Sequence, residues 1–116
     1  MPQEPLVIED LPGPKDGQRI LRLSGPIVLS NLFELQAKVR ADTSRTLILD
    51  FTNVHYMDSA GIGALVGAYV TRQKDGRGLV LIGVSQRIQD ALQVTRVRQF
   101  FRFADSVTGA EQAGNP

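Results

Sequence analysis

The sequence predicts an α/β fold built on a mixed β-sheet, and three observations carry that prediction. Two short apolar runs, residues 47–51 (LILDF) and 79–84 (LVLIGV), have the length of strands buried on both faces and are too short for helices. Between them Ile62, Leu65, Val66, Tyr69 and Val70 recur at i, i+3, i+4, i+7 and i+8, one stripe of an α-helix. Ahead of both, residues 11–17 (LPGPKDG) form a dense turn signal between two strand-like segments, which reads as a hairpin. Strands alternating with helices favour parallel pairing, and the leading hairpin adds an antiparallel pair.

Taken in order, residues 5–10 read as a first strand, with Pro5 at its start, where proline is tolerated. Residues 18–24 follow the turn as a second strand, with Ile20, Leu21 and Leu23 apolar against Arg19 and Arg22, and Gly25-Pro26 ends it. Ser30 or Asn31 can cap the next helix, Glu34 lies in capping-box spacing from Asn31, and Leu32, Leu35 and Val39 supply the apolar face. Residues 41–44 are the exit. The strand at 47–51 leads through a polar loop, residues 52–57, to the helix opened by Asp58-Ser59-Ala60-Gly61, and Asp75-Gly76-Arg77-Gly78 stops that helix with glycines suited to a left-handed terminal residue. After the strand at 79–84, Ser85 caps a helix with Ile88, Ala91 and Leu92 inward. Residues 100–103 read as a last short strand, and Ser106 as the start of a terminal helix.

A chain of 116 residues with 42% apolar residues reads as one domain, residues 1–116, able to bury a core. The net charge of +1 selects no class of partner, and the lack of cysteine removes disulfides, thiolate metal sites and cysteine nucleophiles. Residues 1–10 lack the pattern of a signal peptide, and no apolar run approaches the roughly 18 to 20 residues of a membrane span. A cytoplasmic protein without direct membrane insertion is expected.

Chemistry concentrates at the second helix start. A serine there is most simply a cap, but Ser59 has the carboxylate of Asp58 beside it and the small Ala60 and Gly61 after it. A helix N-terminus also accommodates a phosphate, because its first amides lack intrahelical partners and the dipole favours negative charge. Next to Asp58 that phosphate would meet like charge, so modification would alter the surface sharply without unfolding the domain. The glycines at 61, 63 and 67 depart from a dinucleotide fingerprint: the third is one place late and seven residues separate strand from helix. Together with Ala60, Ala64 and Ala68, Gly67 forms a small-residue face for close packing, within the fold or with a partner. A hydrolase built on Ser59, His55 and either Asp50 or Asp58 lacks the nucleophile elbow, since Met57 stands where its leading glycine belongs. Asp50 reads as structural, at a strand end. One histidine without cysteine offers little to a metal. Arg96, Arg98 and Arg102 interleave with Phe100, Phe101 and Phe103, but the aromatics cluster as in a core-facing strand, so no nucleic acid is expected.

The combination of residues 47–51, Val54 and residues 57–65 (MDSAGIGAL) resembles the signature of the STAS domain, in particular that of the bacterial anti-sigma factor antagonists. The likeness extends to residues 21–25, 78–83 and 101–106, covering about residues 6–112. It implies a mixed sheet with helices mainly on one face, and a regulatory switch in place of an enzyme. It implies phosphorylation at Ser59 by an anti-sigma factor, often a serine kinase, with a phosphatase resetting the switch. The unphosphorylated antagonist binds the anti-sigma factor and frees sigma for transcription. No cofactor is expected on this chain, since ATP and Mg2+ would be bound by the kinase partner. Asp58, Ala60, Gly61 and Gly63 are expected to support the phosphosite, and Gly25, Pro26, Ile27, Asn31, Met57 and Ile62 to meet the partner. Relatives often carry Gly-Glu-Leu-Asp after the second strand, where this chain has Gly25-Pro26-Ile27-Val28, without either acid and with one N–H fewer at Pro26. That departure keeps a second role open: a STAS scaffold or accessory subunit of a lipid-transport ABC complex, binding its partner without phosphorylation.

Overall fold

The structure, a computed structural model, describes residues 5–105. Its elements are β1 (Val7–Pro12), β2 (Gln18–Ser24), α1 (Phe33–Ala41), β3 (Thr46–Asn53), α2 (Ser59–Lys74), β4 (Gly78–Ile82), α3 (Gln86–Val94), a single 3-10 turn (Arg98–Phe100) and β5 (Arg102–Ala104). The strands form one sheet in chain order, with β1 antiparallel to β2 and every later pair parallel. Each parallel step needs a crossover, and α1, α2 and α3 provide them in turn. The mixed α/β class read from the sequence is therefore the observed one.

The sheet separates two apolar faces because successive strand residues point to opposite sides. Leu21, Leu23, Leu47, Leu49, Phe51 and Leu81 share one cluster with Leu35 and Val39 of α1, Leu65 of α2, and Ile88 and Leu92 of α3. The three helices thus pack on one side. The other face carries Ile20, Ile48, Val80 and Ile82, to which no helix among the described residues contributes. That arrangement leaves β3 and β4 buried on both sides, which is why they appear in the sequence as uninterrupted apolar runs.

Several boundaries differ from the sequence reading, each for a local reason. Leu11 and Pro12 belong to β1, paired with Ile20 and Arg19, and the turn shrinks to residues 13–17. Proline is compatible with this edge strand. Neither Ser30 nor Asn31 caps α1: the helix starts at Phe33 behind Leu32, which has no side-chain cap bond, and Asn31 is used in the preceding loop. β4 ends at Ile82, two residues early, because Gly83 turns the chain at φ +68°. Phe100 lies in the 3-10 turn, stacked 5.5 Å from the Tyr69 ring, so β5 begins only at Arg102. Along α2, Leu65 is buried and Ile62, Val66 and Tyr69 pack against the core, whereas Val70, the last of the expected stripe, is exposed. The expected terminal helix from Ser106 lies outside the described residues.

Arg72 near the C-terminal end of α2 was not legible as a core residue. Its side chain is 2% exposed. The guanidinium donates from Nη1 to Asp42 Oδ2 (2.7 Å), from Nη2 to the carbonyls of Ser44 (2.8 Å) and Gly78 (3.0 Å), and from Nε to Gly78 again (3.2 Å). It ties the end of α2 to the α1–β3 turn and to the start of β4. Burial pulls the guanidinium below its ordinary pKa, and the hydrogen bond and charge of Asp42 oppose that shift.

Candidate functional site

The candidate site lies at the C-terminal ends of the parallel strands, where β3 passes through residues 54–58 into α2. Open parallel sheets bind their ligands at this end. Asp50 lies inside β3, which runs on to Asn53, and not at the strand end expected for it. Its Oδ1 accepts from the Thr52 amide (2.9 Å) and hydroxyl (2.6 Å), and its Oδ2 lies 3.7 Å from Arg22 Nε, so both oxygens are engaged within the sheet and not at its end.

Asp58, not Ser59, is the N-cap of α2. Its backbone is extended and its Oδ1 accepts from the Gly61 amide at 2.8 Å. Its other oxygen, Oδ2, accepts from the amide of Leu29 at 3.1 Å, a residue 29 positions earlier. One carboxylate thus holds both the helix start and the neighbouring loop. Ser59 becomes the first helical residue, and its side chain is exposed. Among the described residues, the amides of Ser59 and Ala60 have no protein partner. The hydroxyl released from capping duty therefore stands beside two free donors at the positive end of a 16-residue helix.

The loop at residues 25–31 packs against this helix start. Gly25 adopts φ +113°, which carries the chain out of β2. Ile27 then pairs with Met57 as an isolated parallel bridge: its amide donates to Tyr56 O (3.0 Å), and its carbonyl accepts from Asp58 N (3.3 Å). Asn31 folds back, accepting from Val28 N (3.0 Å) and donating through Nδ2 to Pro26 O (2.9 Å). Two internal links through the Asn31 amide side chain and one through Asp58 thus hold this loop. These contacts revise the expected partner set. Ile27 is 1% exposed and Met57 is buried, so their side chains serve the fold. Asn31 is half-buried and engaged with its own loop; Gly25, Pro26 and Ile62 are half-buried at the margin of the surface.

The two glycines of the signature divide in the same way. A Cβ on Gly61 would lie 2.2 Å from the Ile27 carbonyl oxygen, so the close approach that Gly61 permits is internal to the domain. A Cβ on Gly63 would meet nothing within 4 Å, so that glycine faces open space. Exposed apolar side chains that were not singled out from the sequence flank the site. Leu29 and Phe33 are 62% and 66% exposed, and Tyr56, also exposed, lies under Arg87 with 5.7 Å between guanidinium and ring centroid. A signal was present for Phe33, which lies off the Leu32, Leu35, Val39 stripe, whereas Leu29 precedes α1 in a turn where no helical period applies.

Other chemistries do not assemble. His55 is exposed and makes no hydrogen bond to Ser59 among the described residues, while both candidate aspartates are committed to backbone amides. No group of three or more potential metal ligands occurs among the described residues. Of the three phenylalanines near the arginines, Phe101 is buried, Phe103 packs against the core with Arg98 5.2 Å over its ring, and Phe100 is exposed and stacked on Tyr69. No helix among the described residues is long and apolar enough to cross a membrane.

Comparison with known proteins now bears on this geometry. The family description of the STAS domain matches residues 11–110. The chain belongs to the STAS domain family. It is 33% identical over 67 residues to an anti-sigma-B factor antagonist of Staphylococcus aureus, an alignment spanning 58% of this chain and 62% of that relative. Its fold matches the crystal structure of an anti-sigma factor antagonist from Mycobacterium paratuberculosis with a TM-score of 0.77 at 21% identity, covering 93% and 94% of the two chains. It also matches the Bacillus cell fate determinant SpoIIAA in its phosphorylated form, with a TM-score of 0.69 at 17% identity over 92% of this chain and 97% of that one.

The double duty of Asp58 gives a direct expectation for this STAS chain. Asp58→Ala removes a helix cap and the Leu29 tether together, and should cost about 1–2 kcal/mol in urea unfolding. Hydrogen exchange at the Leu29 and Gly61 amides should accelerate in the variant; unchanged protection there would show that the carboxylate does not hold the loop.

Proposed function

We propose that this chain is an anti-sigma factor antagonist whose binding to a partner protein is controlled by reversible phosphorylation of Ser59. The observation that carries the reading is the exposed Ser59 hydroxyl on the first turn of α2, beside the unpartnered amides of Ser59 and Ala60, in a chain of the STAS family. The likeness to antagonists in S. aureus and M. paratuberculosis supports the same reading.

In this reading the chain is a substrate and a ligand and performs no catalysis. Ser59 Oγ attacks the γ-phosphorus of ATP held with Mg2+ by an anti-sigma serine kinase. The bond to the ADP oxygen breaks, and the hydroxyl proton passes to a base on the kinase. The chain contributes position: Asp58 fixes the helix start through Gly61 and the loop through Leu29, so Oγ projects from a rigid turn. The added group carries about −1.5 to −2 charges. It meets the free amides, which accommodate it, and the Asp58 carboxylate, which repels it. The surface offered to the partner changes sign locally while the core below Leu65 and Phe51 is untouched. A phosphatase would restore the binding form.

Incubation of the chain with the anti-sigma serine kinase of the same genome and Mg-ATP should add one phosphate, mapped by mass spectrometry to Ser59 and absent in Ser59→Ala. Phosphate on another residue contradicts the reading. No phosphate at all, with stable co-purification with a membrane ATPase, would instead assign the chain to a transport complex.

A further inference from the structure

A cavity of about 550 Å³ opens at the end of the sheet opposite Ser59, where β3, β4 and β5 begin. Among the described residues four arginines line it, Arg45, Arg72, Arg77 and Arg102, and no carboxylate does. The backbone gathers them from distant parts of the chain. The Gly78 amide donates to the Arg45 carbonyl (2.7 Å), and the Arg77 amide to the Arg72 carbonyl (2.8 Å). Arg102 opens β5 in register with Val80, two residues after Gly78. These arginines are not needed to cap α2, because the carbonyls of Thr71, Arg72 and Gln73 already accept from the amides of Asp75, Arg77 and Gly76. Nearby acids do not offset the charge. Asp42 is taken by Arg72, and Asp75, with 52% of its side chain exposed, comes only within 3.9 Å of Arg77. Arg45 makes no side-chain hydrogen bond or ion pair among the described residues. Burial above all, and the charge of Arg77 in addition, pull Arg72 below its ordinary pKa.

We infer that this cavity binds a soluble oligophosphate, two or more linked phosphoryl groups, through the guanidinium groups of Arg45, Arg77 and Arg102. Three features select this ligand class. Like charges converging on one concave space are stabilised by an anion, and forked guanidinium donors match phosphoryl oxygens in pairs. The three arginines come from three separate segments around a space far larger than one phosphate, so each can meet a different part of a longer anion. Tyr69 and Phe100, stacked 5.5 Å apart, add an apolar wall, against which charge is screened less than in open water. Arg72 plays a different part. Its donors are spent on Asp42, Ser44 and Gly78, so it supplies a fixed positive charge beneath the ligand and holds the cavity's walls together. The site is at the far end of the sheet from Ser59 and does not depend on phosphorylation there.

Calorimetric titration of the full chain with inorganic pyrophosphate and triphosphate at low ionic strength tests the site. One saturable site is expected, weakened by added salt and accompanied by a rise in the thermal midpoint. Arg45→Gln and Arg77→Gln each remove one guanidinium outside the core and should each weaken binding about tenfold, with the midpoint of the free chain little changed. Arg40→Gln makes the same change of net charge away from the cavity and should leave affinity within about twofold. No saturable binding by the wild-type chain would overturn the inference. So would affinities unchanged in both cavity variants, or a loss in Arg40→Gln equal to theirs, which would reduce the effect to net charge. Binding abolished by Ser59→Asp and untouched by the cavity variants would place the anion at the start of α2 and overturn it as well.

Discussion

Arg72→Met should destabilise the protein by about 3 kcal/mol and lower its thermal midpoint by roughly 10–15 °C. Methionine keeps most of the volume but none of the donors. Asp42 then loses its counter-charge, and the carbonyls of Ser44 and Gly78 lose the hydrogens that reach them from Nη2. Each buried acceptor left unpaired costs about 1–3 kcal/mol. Asp42→Asn should cost less, since an amide oxygen still accepts from Nη1 and the backbone acceptors keep their donors. Chemical denaturation of both variants decides the matter. A loss below about 1 kcal/mol for Arg72→Met would mean that the guanidinium is only a surface charge folded inward.

The second large effect sets two neighbouring glycines against each other. Gly61→Ala should destabilise by about 1–3 kcal/mol, because its Cβ cannot coexist with the Ile27 carbonyl 2.2 Å away. Relief requires the loop at residues 25–31 to lift from α2, so exchange protection at the Ile27 and Asp58 amides should fall with stability. Gly63→Ala, on the same helix, should stabilise by roughly 0.5–1 kcal/mol, since its methyl meets open space and alanine restricts the unfolded chain. Equal signs for the two substitutions would refute the packing described between the loop and the helix.

Much of the fold was legible because its signals are local. The buried strands β3 and β4 show as apolar runs, the α2 stripe as a helical period, and the hairpin as a cluster of proline and glycine. The signature at residues 57–65 was legible through its likeness to a family. What the sequence hid depends on contacts far apart in the chain. Arg72 looks like one cation in a basic run, and only the approach of Asp42 and Ser44, about 30 positions earlier, makes it a core residue. Asp58 and Ser59 are both good caps, and propensity does not choose between them; the Leu29 amide reached by Asp58 Oδ2 goes with Asp58 as the cap. For the same reason nothing local reveals that Ile27 and Met57, expected to meet the partner, have buried side chains joined by the bridge the loop adds beside β3. The small residues of α2 show the same limit, since only the folded chain reveals that Gly61 abuts the Ile27 carbonyl while Gly63 and Gly67 face open space.

The central claim is that a phosphate on Ser59 governs partner binding without disturbing the fold. Calorimetric titration of the anti-sigma kinase with the unmodified chain and with the Ser59-phosphorylated chain tests it directly, with thermal unfolding of both forms recorded alongside. The account predicts at least about tenfold weaker binding of the phosphorylated form, a difference of about 1.4 kcal/mol or more, with midpoints that differ by no more than a few degrees. Equal affinity of the two forms, or a phosphorylated chain that binds poorly only because it has unfolded, would contradict it.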